Sequence, residues 1–231
     1  MQARVKPLLT APGSVQMSVD LEMLEEAYRD RTVIVRAGLW RPPAASIGRR
    51  QEARGPLDPR RLEALGLELA RRPTGGLTIV HEASSFTLHA AIPAGHPLAE
   101  EPVDRAAYTL GEAIVEALAG MGVEAWARAT PWRVRLTPYP TSICLAYTSP
   151  SDLVVGDGRR FAGIALRKGR LGLLAQAFIM VGRPNYELWA AVDGYPSPSH
   201  LERVMAGIAP PPGVGVEKLA AETAERVARL L

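Results

Sequence analysis

The sequence predicts an α+β protein in which helices flank a mainly antiparallel β-sheet. Apolar residues recur every three to four positions over residues 14–28 and again over 104–121, which predicts two amphipathic helices. Most of the second half consists of short apolar or alternating runs, and glycine-containing turns at 156–158 and 168–169 are typical of hairpins. The predicted strands come in consecutive runs, with helices before, between and after these runs. This order favours the α+β class over a fold of alternating β/α units.

Local signals define the elements of the first half. β-branched residues alternate over residues 32–39 and predict a strand, which Pro42-Pro43 ends. Asp58 and Pro59 are an N-cap residue followed by a first-turn proline, so a short helix should begin there. Further strands are expected at 44–48, 67–70, 77–80 and 86–92.

The second half continues with the long helix and a series of strands. Asp104 is expected to cap the helix, and Gly122 follows its end. Strands are expected at 123–129, 132–136, 142–147, 153–155, 160–166, 173–181 and 186–192. Helices 198–206 and 216–230 come last, separated by a proline run that is too short for a domain boundary. We therefore expect one domain over residues 1–231.

The composition is that of a soluble globular protein, with 47% hydrophobic and 22% charged residues. Cys144 is the one cysteine, which excludes a disulfide within the chain and favours a reducing compartment. No run reaches the ~18 apolar residues needed to cross a bilayer. The first twelve residues lack the apolar core of a signal peptide, so we expect a cytoplasmic protein without a membrane partner.

The chain is slightly basic, with a net charge of +3 and a pI of about 9.2, and nearly all its cations are arginines. This bias fits either a GC-rich genome or attraction to an acidic partner, such as an acidic carrier protein, coenzyme A or nucleic acid. The arginines are scattered and not interleaved with aromatic residues, so we expect no nucleic-acid partner. His89, His96 and His200 lack ligand-like spacing, and we expect no metal site.

One segment, residues 71–81, carries the clearest chemical signal. It reads Arg71-Arg72-Pro73-Thr74-Gly75-Gly76-Leu77-Thr78-Ile79-Val80-His81. Adjacent glycines allow close approach of a ligand to the backbone and expose amide groups to an anion, and guanidinium groups suit carboxylate or phosphate. The segment is either an anion-binding turn or a hairpin turn with charged flanks.

This segment resembles the Arg-Arg-x-(Ser/Thr)-Gly-Gly-Gly-x-Val-x-His-Asp motif of the lipoate–protein ligase and octanoyltransferase family. The matching residues are Arg71, Arg72, Thr74, Gly75, Gly76 and His81. Leu77 replaces the third glycine, and Glu82 stands for the aspartate. Four further blocks follow the family order at 15–20, 45–51 (with Gly48), 86–93 and 108–123. The resemblance covers about residues 14–195, leaves helices within 198–231, and implies a biotin/lipoate ligase-like catalytic domain.

The surroundings of Cys144 resemble the cysteine-dependent octanoyltransferase branch of this family. An acidic residue, Asp152, lies eight positions on, and the run 158–165 is similar to the family's Gly-(Arg/Lys)-Lys-x-x-Gly-Ser-Ala stretch. The resemblance implies that Cys144 is a nucleophile that carries an acyl group as a thioester to a lysine of a lipoyl domain. From the residue pattern alone, Cys144 could equally be a small buried residue of an apolar strand.

Several positions depart from the family pattern. Arg160 stands where the family has a lysine; it could hold an oxyanion or phosphate but could not donate a proton near neutral pH. Gly163 and Ala165 match the family's substrate-binding stretch, whereas Ile164 and Leu166 replace its serine and glutamine. Gln176 and the two residues after it replace a His-Gly-Ser sequence, and Lys168 reads as a solvated charge in a hairpin turn.

Three functions remain open. The first is transfer of an octanoyl or lipoyl group from an acyl carrier protein or small acyl donor, through Cys144, to a lipoyl-domain acceptor, with no cofactor. The second is ATP- and Mg-dependent lipoate–protein ligation, although too few residues follow Val192 for the usual accessory domain. The third is binding of acyl groups or lipoyl domains without catalysis. For the first, we expect Cys144 within a few ångströms of Gly75 and Gly76, at the mouth of an apolar tunnel.

Overall fold

The computed structural model describes residues 3–130 and 133–231. The strands, in chain order, are β1 (Ala3–Val5), β2 (Leu9–Ala11), β3 (Val33–Trp40), β4 (Ala44–Ile47), β5 (Glu68–Arg71), β6 (Ile79–His81), β7 (Ser85–Pro93), β8 (Trp126–Arg128), β9 (Asp152–Val154), β10 (Arg160–Gly169) and β11 (Gly172–Met180). The α-helices are α1 (Gly13–Asp30), α2 (Pro59–Ala64), α3 (Pro97–Glu100), α4 (Val103–Ala119), α5 (Tyr186–Asp193), α6 (Pro198–Glu202) and α7 (Val216–Leu230). Short 3-10 helices occupy Gly55–Leu57 and Cys144–Ala146.

The strands form one large and one small sheet. The large sheet has the order β1-β3-β7-β11-β10-β9-β8, with β2 also paired to β3. Its pairs are antiparallel except those of β1 and β2 with β3. In the small sheet, β4 lies between the parallel β5 and the antiparallel β6. The predicted α+β class with a mainly antiparallel sheet is therefore confirmed.

Strand β11 shows how the sequence pattern places the core. Successive residues of a strand point to opposite faces. Leu173, Ala175, Ala177 and Ile179 pack into the cluster under α4 and α7. On the opposite face, Leu174 packs against α1, and Phe178 packs against α5 and the small sheet. Both faces of the sheet are thus buried, and Gln176 lies on the face between α1 and the small sheet.

Several elements lie where the sequence predicts them. Helices α1, α4 and α7 match the expected ranges to within a few residues. Asp58 caps α2 by accepting a hydrogen bond from the Arg60 N–H at 2.9 Å, and the turns after β9 and β10 form hairpins. Within residues 3–130 and 133–231, no helix is long and apolar enough to cross a membrane.

The strand predicted at 186–192 is wrong, because these residues form helix α5. The Asn185 side chain caps the helix by accepting a hydrogen bond from the Leu188 N–H, and Gly194 ends it in a left-handed conformation. The buried residues Tyr186, Trp189 and Ala190 follow helical spacing. Helical periodicity over eight residues is easily mistaken for a short apolar strand.

The strand predicted at 142–147 is also wrong. These residues form a loop around the short 3-10 helix at Cys144–Ala146. Of the strand predicted at 132–136, Trp132 lies outside the described residues, and Arg135 makes only an isolated bridge to Tyr147. Strands β1 and β2 were not predicted from the sequence, because each is only three residues long and is stabilised by pairing with β3.

Candidate active site

The diglycine turn connects β5 to β6 and passes over the end of β4. A Cβ atom placed on Gly48 would lie 2.1 Å from the Gly76 carbonyl oxygen, so the close approach requires glycine at position 48. Gly76 has a φ of 95°, which glycine adopts without strain. The turn is held from the other side by a hydrogen bond from the Arg49 N–H to the Thr74 carbonyl, at 2.9 Å.

Arg72 points into the protein from this turn. Its guanidinium donates to the Ser46 carbonyl at 2.9 Å, the Ser46 hydroxyl at 2.7 Å, and the Gly75 and Leu77 carbonyls at 3.0 and 2.7 Å. None of these acceptors carries a charge, and the buried Nε–H group has no hydrogen-bond partner. Burial lowers the pKa of Arg72 to about 10, and the negative charge that Cys144 can carry opposes this shift. Arg72 is therefore a buried cation on the wall of the inner cavity, which Cys144 also lines.

Arg71 points to the opposite side of β5 and fixes the neighbouring loop. It donates to the carbonyls of Gly48, Arg49 and Gln51, at 3.2, 3.3 and 2.6 Å. The two adjacent arginines thus have different surroundings, because alternate residues of a strand face opposite ways. The observed contacts of Arg71 are structural.

Cys144 lies at the start of the short 3-10 helix, half-buried. Its N–H donates to the Thr78 carbonyl at 2.9 Å, which ties the cysteine loop to the strand after the diglycine turn. The Asp193 carboxylate of α5 anchors the loop further by accepting from the Ser142 N–H at 2.9 Å. A Cβ atom on Gly163 would come to 4.0 Å from the Cys144 sulfur, so β10 passes close to the thiol.

Two adjoining cavities meet at Cys144. Cys144, Gly76, Ile164 and Ala165 line both of them. The inner cavity extends between the sheets and is lined further by Trp40, Arg72, Ile79, His81, Thr87, Gly163, Gln176 and Phe178. The outer cavity is lined by Gly75, Leu77 and Val103, among others, and leads to the surface. The sulfur is therefore reached from outside and faces an enclosed, largely apolar slot within.

His81 forms part of the wall of the inner cavity. Its ring stacks on Trp40 at 3.5 Å between centroids and meets the edge of Phe178 at 5.2 Å. Its Nε2 atom lies 2.7 Å from the Ser46 hydroxyl oxygen. Burial, assisted by the charge of Arg72, holds the pKa of His81 well below its usual value. The imidazole is accordingly neutral and suited to packing against an apolar group.

A buried polar network supports the turn from beneath. The Thr74 hydroxyl donates to the Gln176 carbonyl oxygen at 2.5 Å, and the Gln176 amide donates to Asp20 at 2.6 Å. Asp20 also contacts Arg36 at 2.5 Å and His89 at 2.8 Å. Burial raises the pKa of Asp20, but His89 and Arg36 together outweigh burial and leave it lowered. Thr74 acts through this network and does not line the cavities.

Arg160 lies behind the cysteine loop and lines neither of the two cavities. Its Nε atom is 2.8 Å from an Asp152 carboxylate oxygen, in a buried ion pair. Its remaining groups donate to the Cys144 carbonyl at 3.2 Å, the Tyr147 carbonyl, and the Ser149 hydroxyl at 3.1 Å. Arg160, which we expected to bind an oxyanion or phosphate, therefore stabilises the loop that carries Cys144.

The structure thus divides the candidate residues into two groups. The cavity walls contain Arg72, Gly75, Gly76, His81, Cys144, Gly163 and Ala165. Gly48, Arg71, Thr74 and Arg160 lie outside those walls and hold them in place. Trp40 and Asp20 were not predicted from the sequence as parts of the site, and Gln176 was noted only as a replacement for a family residue; a polar residue within an apolar run was the available signal for Gln176. Within the described parts of the chain, no cluster of three His, Cys, Asp or Glu side chains could hold a metal ion.

A nucleophilic side chain beside a diglycine turn, on a mainly antiparallel sheet, suggests an enzyme that handles acyl groups. The chain belongs to the lipoyl protein ligase A/B catalytic domain family, whose model matches residues 12–212. The resemblance inferred from the sequence motifs is therefore confirmed.

Among curated relatives, octanoyltransferase LipM of Geobacillus kaustophilus is 26% identical over 197 residues, covering 84% of this chain and 70% of the relative. Octanoyltransferase LipM of Macrococcus caseolyticus is 29% identical over 150 residues, covering 64% of this chain and 54% of the relative. The chain thus spans between about half and 70% of the length of these relatives.

Among solved structures, a lipoate-protein ligase A bound with ATP superposes with a TM-score of 0.71 at 22% identity, covering 100% of this chain and 85% of that one. This similarity confirms the ligase-like fold.

Proposed function

We propose that the protein is an acyltransferase of protein lipoylation that moves an octanoyl or lipoyl group to a lysine of a lipoyl domain through a Cys144 thioester. One observation carries the proposal: Cys144 lies where an outer cavity meets an inner one, and the buried cation Arg72 lines the inner cavity. The octanoyltransferase activity of the curated relatives supports the same reaction class.

The reaction consists of two exchanges at one carbonyl carbon. The Cys144 thiolate attacks the donor thioester, a carbon–sulfur bond forms to Cys144, and the donor thiol leaves and takes up a proton. The amine of the acceptor lysine then attacks the Cys144 thioester. The amide bond forms, the carbon–sulfur bond to Cys144 breaks, and the proton released by the amine returns the sulfur to its thiol form or passes to water.

Arg72 supplies the positive charge for both steps. The sulfur carries negative charge as it attacks the donor and as it leaves the acyl carbon, and the carbonyl oxygen is negative in each tetrahedral intermediate. A guanidinium in a buried site stabilises such charges more strongly than it would in water. The four hydrogen bonds of Arg72 go to neutral groups, so none of its hydrogen-bond partners offsets its positive charge.

We place the acyl chain in the inner cavity, which measures about 40 Å³ and must widen as the chain enters. The Trp40–His81 stack and Phe178 form apolar walls, and the neutral state of His81 avoids placing a second charge beside the chain. With the carbonyl carbon at Cys144, the chain extends inward and the thioester partner extends through the outer cavity.

ATP-dependent ligation is the second candidate. Cationic side chains at the outer opening, among them Arg49, Arg50 and Arg167, would suit nucleotide phosphates. The position of Arg160 behind the loop counts against the ligase, because in the described parts of the chain no arginine or lysine lines both cavities to hold an adenylate.

One experiment separates these functions. The protein is incubated with octanoyl carrier protein in one arm, and with lipoate and ATP in the other, and both are followed by intact mass spectrometry. A mass increase at Cys144 in the first arm, lost in Cys144→Ser, is the expected result. Formation of lipoyl-AMP without a cysteine adduct would establish the ligase. Acyl binding with neither product would indicate a non-catalytic protein.

A further inference from the structure

The outer cavity opens onto a concentration of positive charge. Its opening is lined by Arg49, Arg50, Arg133, Arg167 and Lys168, here called the cationic rim. Glycine, proline, glutamine and apolar residues complete the lining, and no carboxylate does so in the described part of the chain.

The rim is built from ordered parts of the fold. Arg49 and Arg50 lie on the loop that Arg71 holds through three carbonyl groups, and the Arg49 N–H is bound to Thr74. Arg167 lies within β10, paired with Leu174 of β11. None of the rim cations forms an ion pair within residues 3–130 and 133–231. The Lys168 ammonium donates to the Glu101 carbonyl at 3.2 Å. The four guanidinium groups, which have no ion-pair partner among these residues, can bind an external anion.

The position of the rim identifies the part of the substrate that it meets. Gly75, Gly76 and Leu77 line both the outer cavity and the rim, so the two are continuous. Moving outward, the order is inner cavity, Cys144, outer cavity and cationic rim. When the acyl chain lies in the inner cavity and its carbonyl carbon is at Cys144, the thiol part of the donor extends outward. The far end of this leaving thiol then faces the cationic rim.

We propose that the cationic rim binds a phosphate group on the carrier arm of the acyl donor. This inference rests on the proposed transferase function, because it takes Cys144 as the point where the acyl group is released. The chemistry recognised is a thioester whose thiol is attached, through an apolar or amide-containing arm, to a phosphate. Coenzyme A and the prosthetic arm of an acyl carrier protein both have this composition.

The test compares two donors that differ only in the phosphate, octanoyl-pantetheine and octanoyl-4′-phosphopantetheine. The second-order rate of Cys144 acylation is measured by intact mass spectrometry at low ionic strength. An exposed ion pair changes binding by up to about fivefold, so two or three such contacts should make the phosphorylated donor about 10-fold faster. Added salt should reduce the difference, because the rim is solvent-exposed.

Matched variants locate the effect. The double variant Arg49→Gln/Arg167→Gln should reduce the advantage of the phosphorylated donor to within about twofold. Arg170→Gln is the control, because Arg170 is exposed on the same hairpin and does not line the opening. The control should keep the full advantage.

The outcomes separate the phosphate site from the transferase function. Equal rates for the two donors, with Cys144 acylated by both, would overturn the phosphate site and leave the transferase function standing. Acylation by neither donor would count against the transferase. Calorimetry on Cys144→Ser protein would then still decide the site: preferential binding of 4′-phosphopantetheine over pantetheine supports it, and equal binding overturns it.

Octanoyl-coenzyme A and octanoyl carrier protein distinguish the two sources of the phosphate. A similar loss of rate for both donors in the double variant is expected, since the recognised group is common to them. A loss for the carrier protein alone would mean that the rim contacts the protein surface of the carrier, which would contradict a phosphate site.

Discussion

Arg160 and Asp152 form a buried ion pair of 2.8 Å behind the loop that carries Cys144. The same guanidinium donates to the Cys144 carbonyl, so one side chain links the acidic residue to the backbone of the cysteine. Where the family has a lysine, this chain has an arginine, whose planar guanidinium group donates to several acceptors at once. Position 160 therefore acts on Cys144 through the backbone.

Replacing Arg160 should weaken both stability and transfer. Arg160→Met leaves the buried Asp152 carboxylate without a cationic partner, although Thr130 and Ser149 still donate to it, so the free energy of unfolding should fall by about 3 kcal/mol. Arg160→Lys keeps the charge but loses the fork, so it should be less destabilising and still slower than wild type in Cys144 acylation. Denaturant unfolding and single-turnover mass spectrometry provide the two measurements. A faster Arg160→Lys enzyme would mean that this side chain acts within the cavity.

Arg72 should control the reactivity of the cysteine. Arg72→Gln removes the buried positive charge beside Cys144, and its alkylation by iodoacetamide at neutral pH should slow by about 10-fold, corresponding to roughly 1.4 kcal/mol. Arg71→Gln is the matched control, because Arg71 faces away from the cavity and binds loop carbonyls. Similar rates in all three proteins would show that Arg72 does not influence the thiolate.

The buried histidines should make stability depend on pH. Burial lowers the pKa of both His81 and His89, so the unfolded chain binds protons that the folded chain excludes. The two neutral histidines contribute to the free energy of unfolding. This contribution is fully present above about pH 6.5, the pKa of histidine in the unfolded chain, and it is lost as the pH falls towards the pKa values in the folded protein. In that range, each histidine makes the free energy of unfolding rise with pH by up to ~1.4 kcal/mol per pH unit.

Urea unfolding between pH 5 and 7.5 measures this dependence. His81→Asn should give a shallower slope, whatever its effect on absolute stability, whereas His200→Gln serves as a control at a partly exposed site. An unchanged slope in His81→Asn would show that His81 titrates alike in the folded and unfolded chains.

The close passage of the diglycine turn over β4 should make Gly48 essential. In Gly48→Ala the new methyl group would overlap the Gly76 carbonyl, so the turn must shift and the Cys144 acylation rate should fall at least 10-fold, about 1.4 kcal/mol in the barrier. Gly169→Ala is the control, since a Cβ atom there meets nothing within 4 Å and Gly169 lines neither cavity. Comparable activity in both variants would mean that the turn adapts without cost to catalysis.

The sequence predicted the fold class and the long helices because their signals are periodic and local. It failed at residues 186–192, where eight apolar-rich residues suit either a strand or a helix and only the Asn185 cap and Gly194 decide between them. It also failed at Cys144, whose loop is shaped by the distant anchors Asp193 and Arg160. Strands of three residues, such as β1, carry too little pattern to be identified alone.

For the site, the motif analysis identified residues but not their orientations. Arg71 and Arg72 are adjacent in the sequence, yet one binds the surface loop and the other enters the cavity. Arg160 matched a family position, yet it turns to Asp152. The partner of each side chain depends on tertiary contacts, which residue spacing alone does not reveal.

The proposed transfer requires that Cys144 carry the acyl group to its acceptor. The most direct test isolates protein acylated by octanoyl carrier protein, removes the donor, and adds a lipoyl domain in a single turnover. The octanoyl mass should leave the Cys144 peptide and arrive on the acceptor lysine at the same rate, and Cys144→Ser should do neither. An acyl group that remains on Cys144 while the lipoyl domain stays unmodified, or modification of the domain by Cys144→Ser protein, would contradict the proposed role of Cys144.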